Sequence, residues 1–338
     1  MPSLVIKPPS DYSLARDVCS YGYFLLAPNR WNVKEQSLSR ALTLDKEIVG
    51  IVISQPKGAG KPLRVGLDRS LSAKAKSLAE AQIRRMLRLD EDESHVREFH
   101  KVDPRWKRTG RARLFRSPTL FEDVLKTVTS CNVTWPGTVQ MNRRLCEVVG
   151  RSSPSGLLTF PTAAQLARTR PETLRSRCRV GYRDLRIIEL SRMFAKRVPE
   201  VRIIEDPNSS DELLHETLLS LPGVGPYAAA NIMQLLGRYS RLPLDTESVR
   251  HGCSVLGYKG SSKQIMRRVH DHFAPFESHA FRSYWFEMWV HYEKLQGPAH
   301  TWERDTTGTM FTASQLKKLA EAAGHKPPKA PKRPAPRK

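Results

Sequence analysis

The spacing of apolar positions changes character along the chain. Residues 1–70 carry short apolar or alternating runs: YGYFLLAP (21–28), IVGIVIS (48–54) and LRVGL (63–67). Turn-rich stretches such as APNRWN and QPKGAGKP separate them. Runs of this length, bounded by Gly, Pro and Asn, predict strands. From Ser72 the period lengthens, with Leu78, Ala79, Gln82, Ile83, Met86 and Leu87 on one helical face. Ser72 is placed to cap that helix, and the acidic run 90–93 ends it.

From Pro118 to about 296 the pattern is helical throughout. Ser117-Pro118 provides a helix start, followed by the stripe Leu120, Phe121, Val124, Leu125 and Val128. Further helices are predicted over 137–149, 162–168, 171–177, 183–197, 210–220, 226–237, 246–256, 261–273 and 279–296, joined by short loops. The expected fold class is α+β, mainly α: a small N-terminal antiparallel β domain followed by an all-helical domain. The expected boundaries are 1–100 for the β-rich domain ending in a helix, 101–117 for a basic connector, 118–300 for the helical domain and 301–338 for a C-terminal segment. Its end, HKPPKAPKRPAPRK, has no acid and reads as a disordered basic tail.

Charge sharpens the picture. The 338 residues carry 56 Lys and Arg against 34 Asp and Glu, a formal charge of +22. Such an excess draws polyanions, with nucleic acid ahead of an acidic membrane surface. The connector KVDPRWKRTGRARLFRS holds seven basic residues and one acid. It reads either as a solvated linker or as a phosphate-contacting strap. No apolar run is long enough to span a bilayer, and MPSLVIKPPSDY has no secretory pattern, so an intracellular protein is expected. Five scattered cysteines form no CxxC pair, which argues against a disulfide framework, a zinc ribbon or an iron–sulfur cluster. No metal site and no cofactor are expected.

The most specific stretch is LLSLPGVGPYAAANIMQLLG (218–237). A helix ends near Ser220, Gly223-Val224-Gly225 turns the chain, and Pro226 opens a second helix. Two glycines permit a sharp turn and close backbone approach. The free amides and positive dipole at the second helix's start form an anion site suited to a DNA phosphate. Downstream, Leu-Pro-Leu-Asp (242–245) ends on Asp245, which precedes Thr246-Glu247-Ser248 and can cap a helix.

Taken together, L-P-G-V-G, Ala228, Ala229, Ala230 and the later Asp245 resemble the helix-hairpin-helix (HhH-GPD) DNA glycosylase superfamily, nearest to its alkylation-repair and 8-oxoguanine branches. The resemblance implies excision of a flipped-out damaged base from double-stranded DNA, by a monomer in base excision repair. It makes Asp245 the catalytic residue, and Gly223, Val224, Gly225, Tyr227 and Arg250 DNA-binding residues. TVTSCNVTWPGTVQMNRRLC (127–146) is similar to a segment of the 8-oxoguanine branch, and Asn132 falls where that branch places an asparagine near the extruded nucleotide. Gly181-Tyr182-Arg183 looks like the family's GYR turn. Trp135, Trp285 and Trp289 are candidates to stack on an extruded base. The position of the lyase members' lysine is occupied by Tyr227, and a phenol forms no imine. A monofunctional, water-using enzyme is therefore expected. The alternative is a catalytically silent protein that binds lesions or distorted duplex.

Overall fold

The computed structural model describes residues 2–304. The basic tail expected at 325–338 lies outside them. An antiparallel sheet is formed by β1 (Ser3–Ile6), β2 (Arg30–Asn32), β3 (Ser37–Leu44), β4 (Glu47–Ser54) and β5 (Leu63–Leu67), in the order β1-β5-β4-β3-β2. Its register pairs Leu4 with Val65, Ile6 with Leu63, Leu38 with Ile53 and Leu42 with Val49. Period-two alternation thus gathers one apolar face, while Val5 and Val52 on the other are exposed. Arg40, opposite Ile51, stands in the middle of the apolar face.

The predicted strand over 21–28 is not one. Gly22–Leu25 form a 3₁₀ turn, and the segment ends at a cis Ala27–Pro28 bond. Tyr21, Tyr23, Phe24, Leu25 and Leu26 are all buried. The run lacks alternation because it is enclosed on every side, which an apolar run does not distinguish from a buried strand. The helix capped by Ser72 spans Ala73–Met86, with Ser72 Oγ accepting from the Ala75 N–H. The acidic run does not end it; Asp92 instead caps the next helix, Glu93–Val102.

Beyond residue 118 the helices fall close to the predicted ranges. The first, Leu120–Ser130, starts two residues late because Thr119, not Ser117, caps it. A seven-residue helix, Pro199–Glu205, was not foreseen. Two cores result. One joins the sheet to Ala73–Met86, Glu93–Val102 and the late helix Ala280–Gln296. The other lies among the helices from Leu120 to Met233. All five cysteines are free thiols.

The connector is not the solvated linker that one reading expected. Ala112, Arg113, Leu114, Phe115, Arg116 and Ser117 are buried. Four of its five arginines are paired internally: Arg113 with Asp11 and Glu93, Arg116 with Asp90, Arg105 with Asp103 and Glu287, Arg111 with Glu293. A buried guanidinium requires such partners. Residues 111–117 are thus a charged seam and not a solvated linker, while Lys101, Lys107 and Arg108 stay exposed. A second buried cluster crosses between the layers: Arg40 on β3 binds Glu122 at 2.8 Å, and Lys126 binds the same carboxylate at 2.7 Å.

Candidate active site and nucleic-acid interface

The hairpin consists of Asp211–Ser220, a turn, and Pro226–Leu236. Ser210 caps the first helix, accepting from the Leu213 N–H. Gly223 sits at φ +80°, a left-handed conformation that glycine adopts without strain. Val224 is buried and anchors the turn. Gly225 is the N-cap of the second helix in extended conformation, with no side chain capping the first turn. A Cβ at Gly225 would meet no protein atom within 4 Å. The fold itself therefore makes no demand for glycine there; the space lies outside the chain.

The other end of this helix is closed by cations. Arg116 Nη1 donates to the Leu235 carbonyl at 2.8 Å, and Arg88 donates to that of Gln234. Guanidinium groups at the C-terminus and bare amides at the N-terminus reinforce the helix dipole. Buried Ala228, Ala229 and Ala230 let the helix pack closely on its neighbours.

Asp245 is the N-cap of Thr246–Ser254. Its Oδ1 accepts from the backbone N–H groups of Glu247 (2.9 Å) and Ser248 (3.2 Å) and lies 3.5 Å from Ser248 Oγ. Burial raises its pKa from 3.8 to about 6, against the Ser248 N–H bond and the charge of Arg250, which lower it. The Asp245 charge in turn reaches the phenols of Tyr227, Tyr21 and Tyr284, and all three are held neutral chiefly by burial. The hairpin's Tyr227 and the capping carboxylate therefore share one site. Arg250 is half-buried and ion-paired with Glu247.

Asn132 occupies the exposed tip between Leu120–Ser130 and Trp135–Val148, at φ +52°. Asparagine is among the few residues that tolerate that region. The tip is held from behind by buried Arg183, which donates to the carbonyls of Cys131 and Val128. Its neighbour Tyr182 is exposed, with the Arg183 and Arg186 guanidinium carbons 4.5 and 5.2 Å from its ring centroid.

The three tryptophans separate. Trp135, half-buried in the first turn of its helix, lies against Gly22, where a Cβ would come within 2.9 Å of the indole. Trp285 is half-buried between Phe281, Trp289 and Tyr21, whose ring centroid is 4.6 Å away. Trp289 is 3 % exposed, its indole N–H donates to the Cys19 carbonyl, and its ring is enclosed by Trp285 and Trp302. It is a core residue with no face left for a base, which corrects its place in the expected pocket.

Sequence reasoning missed Tyr21. Its hydroxyl donates to Asn231 Oδ1 (3.0 Å), and Asn231 Nδ2 donates to the Tyr227 carbonyl (3.0 Å). The N-terminal segment is thereby tied to the hairpin's first turn. Nothing in the local pattern of SYGYFLL points to a partner 210 positions away.

Neither a protein-family model nor a curated protein sequence matches the chain. Solved structures do. A 3-methyladenine DNA glycosylase from Archaeoglobus fulgidus superposes with a TM-score of 0.64 at 18% identity, covering 85% of this chain and 98% of that one. The apo 8-oxoguanine glycosylase/lyase of Clostridium acetobutylicum gives 0.61 at 18% identity, with 85% and 96% covered. The same enzyme bound to double-stranded DNA with cytosine opposite 8-oxoguanine also gives 0.61, covering 86% and 96%. Strands, hairpin and aspartate-capped helix together thus have the architecture of those enzymes: the chain has the fold of the helix-hairpin-helix DNA glycosylases.

Proposed function

We propose that the chain is a monofunctional DNA glycosylase acting on double-stranded DNA that contains a damaged base. The observation that carries this reading is the pairing of a bare, glycine-opened helix N-terminus with a half-buried carboxylate near the same first turn. The amides at Gly225 and beyond grip a backbone phosphate. Flipping then brings C1′ of the extruded nucleotide to Asp245. As the C1′–N bond breaks, its electron pair leaves with the base and the sugar gains oxocarbenium character. Ionised Asp245 opposes that charge and takes a proton from the attacking water, whose oxygen bonds to C1′.

Tyr227 carries no amine, so no imine with the sugar forms and water is the nucleophile. Asn132, on its exposed tip, fills the space the base vacates. Half-buried Trp135 and Trp285, the latter backed by buried Tyr21, are the aromatic candidates for the base pocket, a lining suited to electron-poor alkylated purines. The chain acts as a monomer.

The test is base release from duplexes carrying 3-methyladenine, 7-methylguanine, ethenoadenine, hypoxanthine, uracil, 8-oxoguanine or methylated cytosines, developed with alkali. At least one lesion is released by the wild type and not by Asp245→Asn. Lesion-biased binding with no release across the panel would favour the silent binder instead.

A further inference from the structure

The hydrogen bonds around Asp245 are one-sided. Both backbone donors and the Ser248 hydroxyl address Oδ1, while no hydrogen bond to Oδ2 is made among the described residues. Ser248 itself is fully buried. Its Oγ accepts from the Asp245 N–H at 3.1 Å and lies 2.8 Å from the hydroxyl of Tyr284 on the late helix. Burial holds that phenol protonated, so it has a proton to donate, although either hydroxyl could be the donor in this contact. With Tyr284 as donor, a chain runs from Tyr284 O–H to Ser248 Oγ, and from Ser248 O–H to Asp245 Oδ1 across 3.5 Å. The Tyr284 ring is fixed edge-on to Phe273, centroids 5.4 Å apart.

We propose that Tyr284 and Ser248 form a positioning relay that pins Asp245 by Oδ1 and leaves Oδ2 as the oxygen that faces the sugar and the water. The proposal rests on the reading of Asp245 as the acting carboxylate. Other groups around the carboxyl are Glu247 and Arg250 on its own helix, Tyr227 on the hairpin, Tyr21 from the N-terminal segment and Tyr292 on the late helix. The late helix also reaches this helix start through the Tyr292 hydroxyl, which donates to the Glu247 carboxylate, but Tyr284 is the group that meets the Ser248 hydroxyl beside Asp245 Oδ1.

The experiment pairs two readouts on the full-length chain. One is a ¹³C NMR titration of the aspartate carboxyls without DNA, with Asp245 assigned through Asp245→Asn. The other is single-turnover base release against pH. Tyr284→Phe keeps the packed ring and removes only the hydroxyl; Ser248→Ala removes the link, and Ser248→Thr restores it. Loss of a donor disfavours the ionised carboxyl. Tyr284→Phe and Ser248→Ala should each move the Asp245 titration and the acid limb to higher pH by about one pH unit. They should lower kcat about tenfold with KM nearly unchanged. Ser248→Thr should recover most of both. Unchanged titration and unchanged kcat in Tyr284→Phe and Ser248→Ala would overturn the relay. A shifted titration in a protein that releases no base would uphold the pinning and sink the glycosylase reading instead.

Discussion

Replacing Asp245 by asparagine sets function against stability, and the structure gives a magnitude for each. The carboxylate titrates near 6 instead of 3.8 because it is largely withdrawn from water. A group whose folded pKa is raised is penalised once ionised. Stability is highest below the unfolded pKa and falls as pH rises from about 4 to about 6. Two pKa units correspond to about 3 kcal/mol, an upper figure for a residue that keeps some solvent contact. Asparagine retains the N-cap geometry and carries no charge. The variant should therefore be more stable than wild type at pH 8, by up to about 3 kcal/mol, and indistinguishable from it near pH 4. Catalysis should move the other way. A full charge about 4 Å from a developing cation, at an effective dielectric of about 20, contributes about 4 kcal/mol. Losing it should cost about a thousandfold in base release. Denaturant melts at pH 4 and 8, alongside single-turnover excision, measure both. A variant that melts earlier than wild type at pH 8, or a stability difference that ignores pH, would refute the account of a carboxylate held against its solvation.

The remaining expectations concern the hairpin, the nucleophile and the buried seam. Gly223→Ala forces a side chain into left-handed backbone beside Arg186 and should lower stability by about 1 kcal/mol or more by denaturant titration. Gly225→Ala adds a Cβ that meets nothing in the chain, so its melt should match wild type while duplex affinity falls in a filter or anisotropy assay. Borohydride should trap no covalent adduct with lesion duplex, because Tyr227 stands at the hairpin's first turn. Glu122→Gln leaves Arg40 and Lys126 buried without their anion and should cost about 3–5 kcal/mol. Burial opposes the Glu122 charge, but Arg40 and Lys126 outweigh it and bring its pKa down to about 2. This carboxylate's contribution is therefore present above pH 4.5 and is lost as pH falls towards 2.

Helices were legible in the sequence wherever their ends were written in side-chain chemistry. Ser72 and Asp245 cap the helices they were read to start, and Pro226 and Gly237 bound the hairpin's second helix. Residues 199–205 escaped notice because one apolar turn or two establishes no period. The segment 21–28 misled because uniform hydrophobicity reports burial and not conformation. The charged connector misled for a different reason. Whether an arginine meets water or a carboxylate depends on partners such as Asp11, Asp90 and Glu293, brought close by folding. The same limit hid Tyr21, Ser248 and Tyr284, whose positions around Asp245 depend on three elements meeting. Spacing and resemblance could name the carboxylate; only tertiary geometry brings its supports to it.

Buried Arg40, Arg88, Arg113, Arg116, Lys126 and Arg183, together with Arg282 of the late helix, which is paired with Glu91, divide the protein's positive charge into two populations. Dissolved ions screen groups at the surface and scarcely reach those sealed inside. Raising ionic strength should therefore release a bound duplex, with log affinity falling linearly in log salt, long before it loosens the contact between sheet and helices. The buried cations will not be counted in the slope of that line, because they have already exchanged water for carboxylates, carbonyls and ring faces within the fold.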